Sequence, residues 1–180
     1  MTKTTKLSAG FLMFRRSPEG VEVFLVHPGG PFWAKKDLAS WSIPKGEYPE
    51  GEPPLAAAVR EFEEETGLQP VGDYIELGQL RQPSGKLVTA WAFEGDCDPS
   101  SIRSNSFSME WPKGTGQMQE FPEIDRGEWF SFATAQQKIL KGQIGFLERL
   151  ANHLGRSMTR EPLAPPSGGD PGTGSQGSLF

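Results

Sequence analysis

Hydrophobic and polar positions follow two different periods in the first half of this chain. Residues 8–14 and 21–27 are short runs of β-forming side chains, and the Ser-Pro-Glu-Gly sequence between them is typical of a turn. Residues 55–66 instead place apolar side chains every three to four positions, which is the period of an amphipathic helix. Pro53 and Pro54 suit the first turn of this helix, and Gly67 suits its C-terminal cap. The pattern predicts two paired strands and a later helix.

The rest of the chain continues to mix the two periods. Strand-like pieces are expected at four further places, 41–43 (ended by Pro44), 74–80, 86–94 and 128–132. Residues 95–116 predict a long polar loop, and residues 133–154 predict a helix with a break at Gly142 or Gly145. Because strands and helices interleave, the predicted class is α/β or α+β.

Composition divides the chain into a domain and a tail. Residues 161–180 include nine Gly or Pro and almost no periodic apolar positions, so we predict a folded domain at 1–160 followed by a disordered tail at 161–180. No run approaches the ~20 apolar residues of a membrane span, and the apolar run near the start is short for a signal peptide. The single cysteine, Cys97, excludes an internal disulfide. These features predict a cytoplasmic protein with no membrane partner.

Acidic charge is concentrated in one segment. The net charge is −5, yet residues 46–68 hold seven Glu and one Arg, and the remainder of the chain is close to neutral. On the predicted helix, Glu61, Glu64 and Glu65 stand at i, i+3 and i+4, where like charges repel. A divalent cation that prefers oxygen ligands would remove this repulsion. A solvated acidic helix face is the alternative. Long nucleic acid is not an expected partner of so acidic a chain.

The same segment carries a motif with fixed spacing. Gly46, then Glu52 after five residues, then Arg-Glu-Phe-Glu-Glu-Glu-Thr-Gly-Leu at 60–68 after seven more match every fixed position of the Nudix box, Gx5Ex7REUxEExGU. The chain therefore resembles the Nudix (MutT-like) hydrolases. The resemblance implies an α/β/α sandwich with a mixed β-sheet, covering roughly residues 5–154.

The resemblance also implies roles for the residues of the box. Mg²⁺, or Mn²⁺ in its place, would be bound by the Gly46 carbonyl, Glu61, Glu64 and Glu65. Glu61 and Glu64 would be catalytic, and Glu61 would also orient or deprotonate the attacking water. Arg60 would pair with Glu52 and brace the loop against the helix, which keeps metal ligands in place.

Residues outside the box add further candidates. Nudix hydrolases commonly recruit another carboxylate, for which Glu120 and Glu123 are the candidates, and Glu120 is the favoured metal ligand. Lys45, next to Gly46, could contact a substrate phosphate as a point charge. Several aromatic side chains could stack on a nucleobase, although the sequence singles out none as a site: Phe32, Trp33, Trp41, Trp91 and Trp111.

The implied activity is hydrolysis of a diphosphate linkage in a nucleoside diphosphate derivative. The Pro44-Lys45-Gly46 lead-in is similar to that of relatives that cleave dinucleoside polyphosphates, so a nucleoside triphosphate or a dinucleoside polyphosphate is the expected substrate. The partner would then be a small nucleotide or another diphosphate. Three alternatives stay open: a non-catalytic binding or regulatory Nudix module, a diphosphoinositol pyrophosphohydrolase, and an RNA 5′-end pyrophosphohydrolase. The oligomeric state is open as well.

Overall fold

The computed structural model describes residues 4–155, which form eight strands and three helices. The strands are β1 (Leu7–Ser17), β2 (Gly20–Pro28), β3 (Lys45–Tyr48), β4 (Ile75–Arg81), β5 (Leu87–Glu94), β6 (Ser106–Glu110), β7 (Met118–Pro122) and β8 (Ile124–Ser131). The helices are α1 (Pro54–Thr66), α2 (Phe132–Lys138) and α3 (Ile144–His153). Short 3-10 turns occur at Pro99–Ser101 and Lys141–Gln143.

Six strands form one mixed sheet in the order β4-β5-β1-β2-β8, with β3 paired to β1. The β1 and β5 strands are parallel, and the other paired strands are antiparallel. Gly46 of β3 pairs with Ala9 near the start of β1, while Pro28 at the end of β2 pairs with Ile124 at the start of β8. Since β1 and β2 are antiparallel, these four elements meet at the same end of the sheet.

Helices cover both faces of this sheet. Successive strand residues point to opposite faces, so Phe11 and Met13 pack with Phe62 of α1, while Leu12 and Phe14 belong to the cluster that contains residues of α2 and α3. The Phe62 side chain is fully buried, which stabilises the α1 layer by about 2–3 kcal/mol. The three layers are those of the predicted α/β/α sandwich with a mixed sheet, and this prediction is confirmed.

Helix α1 is the element that the sequence predicts best. It begins at Pro54, where a missing N–H is tolerated, and ends at Thr66. Gly67 then adopts the left-handed conformation at φ 74°, and its N–H donates to the Glu63 carbonyl at 2.7 Å. The predicted helix at 55–66 is confirmed.

Two predicted elements differ from the structure near Trp41. Residues 41–43 form only isolated bridges, from Trp41 to Ile139 and from Ser42 to Val26, and the strand that follows is β3. The Leu140 N–H donates to the Trp41 carbonyl at 2.7 Å, which diverts the chain from the helix that was predicted over 133–154. The break therefore begins at Ile139 and includes Gly142, whereas Gly145 lies inside α3.

The region predicted as a polar loop at 95–116 contains regular structure. It includes one 3-10 turn and strand β6, which pairs with β7 in a separate two-stranded sheet. Phe107 and Met109 alternate with exposed polar residues, so the strand offers only two apolar positions to a sequence pattern. The last strand also starts earlier than the predicted 128–132, at Ile124, because its first residues are mostly polar.

None of the helices described between residues 4 and 155 is long and apolar enough to span a membrane. The tail predicted at 161–180 lies outside the described residues.

Candidate functional site

The carboxylates of α1 differ in exposure as their helical positions predict. The Glu61 side chain is only 12% exposed and Glu64 is 41% exposed, whereas Glu63 lies on the exposed flank. Glu65 is half-buried and accepts a hydrogen bond from the Lys45 N–H at 3.0 Å. Glu61 and Glu65 therefore lie between α1 and the end of the sheet, whereas Glu64 is more open to solvent.

Gly46 lies directly against one of these carboxylates. A Cβ added at Gly46 would overlap the carboxylate group of Glu61, so any other residue at this point of β3 would displace that carboxylate. Gly46 pairs with Ala9, whose side chain faces the α1 layer. The backbone of β3 and the Glu61 carboxylate are thus adjacent, which is what a shared ligand set would require.

Arg60 connects the loop before α1 to the carboxylate cluster. Its Nε and Nη2 donate to the two oxygens of Glu52, each at 3.1 Å, and this is a bidentate pair. Its Nη1 donates to Glu61 at 2.7 Å and approaches Glu64 at 3.4 Å. Hydrogen bonding to Glu52 is the largest cause that raises the pKa of Arg60. The loop is therefore fixed to the helix that carries the acids.

Burial and mutual repulsion act on the carboxylates together. Burial raises the pKa of Glu65 to about 8, against the opposing effects of the Lys45 charge and the Lys45 N–H. Burial is also the main cause that raises the pKa of Glu61, and the negative charge of Glu64 adds to it. The protein thus holds several carboxylates where their negative charges are costly, an arrangement that a cation would stabilise.

The backbone N–H and the side chain of Lys45 point in different directions. Its N–H binds Glu65, but its Cβ lies over Gly10 on the sheet face opposite α1. Burial lowers the pKa of Lys45, and the charge of Glu65 partly offsets this effect. The structure therefore brings the Lys45 backbone to the carboxylates.

The structure distinguishes between the two carboxylates outside the box. The negative charge of Glu123 is among the causes that raise the pKa of both Glu61 and Glu65, after burial as the main cause. Glu120 lies exposed on β7 opposite Ser108. These electrostatic effects favour Glu123 as the additional carboxylate over the Glu120 expected from the sequence.

A short backbone connection holds Glu123 near α1. The Asn105 N–H donates to the Glu64 carbonyl at 3.3 Å, and the Glu123 N–H donates to the Asn105 carbonyl at 2.8 Å. The Arg103 N–H similarly caps the Thr66 carbonyl at 2.8 Å. Sequence reasoning missed this link because backbone hydrogen bonds carry no residue signature.

The donor set fits a hard divalent cation. In the part of the chain that is described, no three His, Cys, Asp or Glu side chains converge closely enough to hold a metal ion. Arg60 binds Glu61 and Glu64 instead, and the Lys45 N–H binds Glu65. All the candidate donors are nevertheless oxygen atoms, and Gly46 leaves the Glu61 carboxylate directly against the backbone.

Comparison with known proteins identifies the family of this chain. The NUDIX domain model matches residues 4–150. The RNA pyrophosphohydrolase of Rhizobium meliloti (strain 1021) is 30% identical over 135 residues, which span 61% of this chain and 75% of that protein.

Solved structures share the fold. The Ap4A hydrolase of C. elegans in a binary complex has a TM-score of 0.57 at 18% identity, covering 84% of this chain and 98% of that chain. The NUDIX domain of Shewanella oneidensis NrtR complexed with ADP ribose has a TM-score of 0.57 at 17% identity, covering 84% and 90%. The MutT protein of Methanosarcina mazei Go1 has a TM-score of 0.56 at 20% identity, covering 86% and 98%. The matched domain, the relative and the shared fold together show that this chain belongs to the Nudix family of hydrolases, which act on pyrophosphate bonds.

Proposed function

We propose that this protein is a Mg²⁺-dependent pyrophosphohydrolase that cleaves a nucleoside triphosphate or a dinucleoside polyphosphate in the cytoplasm. The observation that carries the proposal is the contact between three groups: the backbone of Gly46, the carboxylate of Glu61 and the guanidinium of Arg60, which Glu52 holds in place. Members of the family act on pyrophosphate bonds, so the intact constellation supports catalysis over a purely binding or regulatory role.

The proposed roles follow from the contacts. Glu61, Glu64, Glu65 and the Gly46 carbonyl would hold Mg²⁺ or Mn²⁺, with Glu123 as the additional carboxylate. When bound, the cation would neutralise charge on the phosphate oxygens. The buried Glu61 carboxylate would orient the attacking water and accept its proton.

Arg60 and Glu52 have a supporting role in this scheme. Their bidentate pair fixes to α1 the loop that follows β3, the strand of Gly46, so that the carbonyl and the carboxylates keep one relative position. The guanidinium also compensates part of the negative charge of Glu61 and Glu64.

A second candidate function is removal of diphosphate from an RNA 5′ end. It is favoured by the 30% identity to the RNA pyrophosphohydrolase of Rhizobium meliloti. The same metal chemistry would serve both substrates, because both contain a phosphoric anhydride next to a nucleoside. A diphosphoinositol phosphate is the remaining alternative for the same chemistry.

The test is a substrate panel with two matched variants. ATP, diadenosine tetraphosphate, ADP-ribose, a diphosphoinositol phosphate and a 5′-triphosphate RNA dinucleotide would be incubated with Mg²⁺ and the products identified. Glu64→Gln should lower turnover by more than about 100-fold. Replacing a group that only orients a metal ligand typically lowers activity by about 10–100-fold, and a direct ligand should matter more. Glu63→Gln, an equal charge change on the exposed flank, should retain activity. Undiminished turnover in Glu64→Gln would contradict the assignment.

A further inference from the structure

An exposed and a half-buried aromatic ring meet near the end of β6. Phe32 and Trp111 pack edge to face with their ring centroids 5.7 Å apart. Phe32 is 57% exposed, although it lies in a protein whose other phenylalanines are mostly buried in the two cores. A large ring left in water is a surface that stacking on a ligand would cover.

The segment that presents Phe32 is fixed to the rest of the fold. The buried His27 ring bonds Asp125 through Nδ1 at 2.9 Å and the Lys36 carbonyl through Nε2 at 2.6 Å. The Gly29 N–H donates to the Glu123 carbonyl at 2.9 Å. Phe32 is therefore held in place before any ligand arrives, which reduces the entropy lost on binding.

Lysines accompany both rings. Residues 28–36 and 111–119, which carry the rings, contain Lys35, Lys36 and Lys113, and the acidic residues Asp37, Glu110 and Glu120 flank these two ranges. The Nζ of Lys36 lies 4.8 Å from the centroid of Trp33 in the same segment. The surface thus combines aromatic rings with lysines, which can contact a phosphate as point charges. A flat base attached to phosphates complements both properties.

The pair lies on the same side of the molecule as Glu123 but further out. Gly30 packs against the ring of Phe107. Phe107 pairs across the β6–β7 hairpin with Phe121, which is two residues before Glu123. Trp111 directly follows β6 and is four residues beyond Phe107, which is about 13 Å of extended chain. A group bound at Phe32 and Trp111 would therefore belong to the end of the substrate remote from the scissile phosphate.

We propose that Phe32 and Trp111 bind the second nucleobase of a substrate in which two bases are joined by a polyphosphate. This inference rests on the proposed function, because the other end of the same substrate would be cleaved at Glu61. It assigns the class of dinucleoside polyphosphates in preference to mononucleotides.

The test measures binding separately from turnover. Equilibrium dialysis would use the full chain carrying Glu64→Gln, so that the nucleotides persist, with diadenosine tetraphosphate and ATP as probes in Mg²⁺. Adding Phe32→Ala should weaken the diadenosine tetraphosphate affinity by about tenfold relative to that for ATP, since a stacked base is lost. Phe32→Trp should restore the ratio. Val71→Ala removes another exposed apolar side chain, 70% exposed in the α1–β4 loop, and should leave the ratio unchanged.

The outcomes separate the two proposals. An equal loss for both nucleotides, an unchanged ratio, or no binding of either nucleotide would overturn the aromatic site. A greater dependence on Phe32 for a 5′-triphosphate RNA dinucleotide than for diadenosine tetraphosphate would also overturn it, in favour of an RNA strand. If Phe32-dependent binding is found but the unmodified protein hydrolyses no nucleotide, the aromatic site holds and the proposed hydrolysis fails.

Discussion

The box segment at 46–68 and the aromatic surface at Phe32 and Trp111 lie at the same end of the sheet but are built differently. The box assembles acids, Arg60 and Gly46 from 23 consecutive residues, and one helix turn brings the acids together. The aromatic surface joins two segments nearly eighty positions apart, each tied down by backbone hydrogen bonds.

This difference separates chemistry from selectivity. The box presents oxygen donors and the guanidinium of Arg60, which Glu52 holds in place, and these groups suit any phosphoric anhydride. The aromatic surface presents π faces and lysines, which suit some substrates and not others. We therefore expect changes in the box to affect all substrates equally and changes in the second region to affect the ranking of substrates.

The largest effect is expected from Gly46→Ala. The new Cβ would overlap the Glu61 carboxylate and displace it from Arg60. A displacement of about 1 Å in a catalytic group can lower the rate about 100-fold, so kcat should fall at least this much for every substrate. Gly20→Ala in the β1–β2 turn, where φ is 130° and no atom lies near, controls for a loss caused by backbone strain alone. A loss confined to one substrate would break the separation between the two regions.

The sequence predicts the first region well because its contacts are local. The 3.6-residue period fixes which face of α1 is buried, and the box spacing then determines that Glu61, Glu64 and Glu65 share a side. The pairing of Arg60 with Glu52, implied by the family resemblance, is present as a bidentate contact. These features depend on residues at most fifteen positions apart.

The second region could not be predicted in the same way. Strand β6 has few apolar positions, and it is held by pairing with β7 and by the packing of Phe107 against Gly30. Glu123 approaches α1 through the backbone of Asn105, which any residue other than proline could supply. The helix break at Ile139 has a similar origin, since the competing partner is the backbone of Trp41.

A smaller loss is expected from Arg60→Lys, which keeps the charge but removes the bidentate fork to Glu52. Groups that orient metal ligands typically contribute 10–100-fold to metal affinity, so the Mg²⁺ concentration needed for half activity should rise by about tenfold or more. Arg16→Lys, at an exposed pair with Glu94, is the matched control. A Mg²⁺ titration of the steady-state rate checks this expectation, and an unaltered midpoint would show that the loop holds without the fork.

Gly29→Ala tests whether the second region is held as one unit. The added Cβ would overlap the Pro122 carbonyl and disturb the hydrogen bond from Gly29 to Glu123. Such overpacking costs about 1–3 kcal/mol, which should lower the thermal midpoint by several degrees. The substrate ranking should change more than the rate on ATP, because the altered contact supports the segment that carries Phe32. A uniform loss on all substrates would show that the two regions are not separable.

The smallest effect is expected where the regions meet, at the carboxylate outside the box. The negative charge of Glu123 adds to the causes that raise the pKa of Glu61 and Glu65, and Glu120 lies on β7 opposite Ser108. Glu123→Gln should therefore lower kcat by about tenfold, as expected for a supporting group at a metal site, while Glu120→Gln should stay within about twofold. The two variants make the same charge change three positions apart on exposed side chains, so each serves as the control for the other. A greater loss in Glu120→Gln would restore the residue favoured from the sequence and would mean that the hairpin closes further over α1 during turnover.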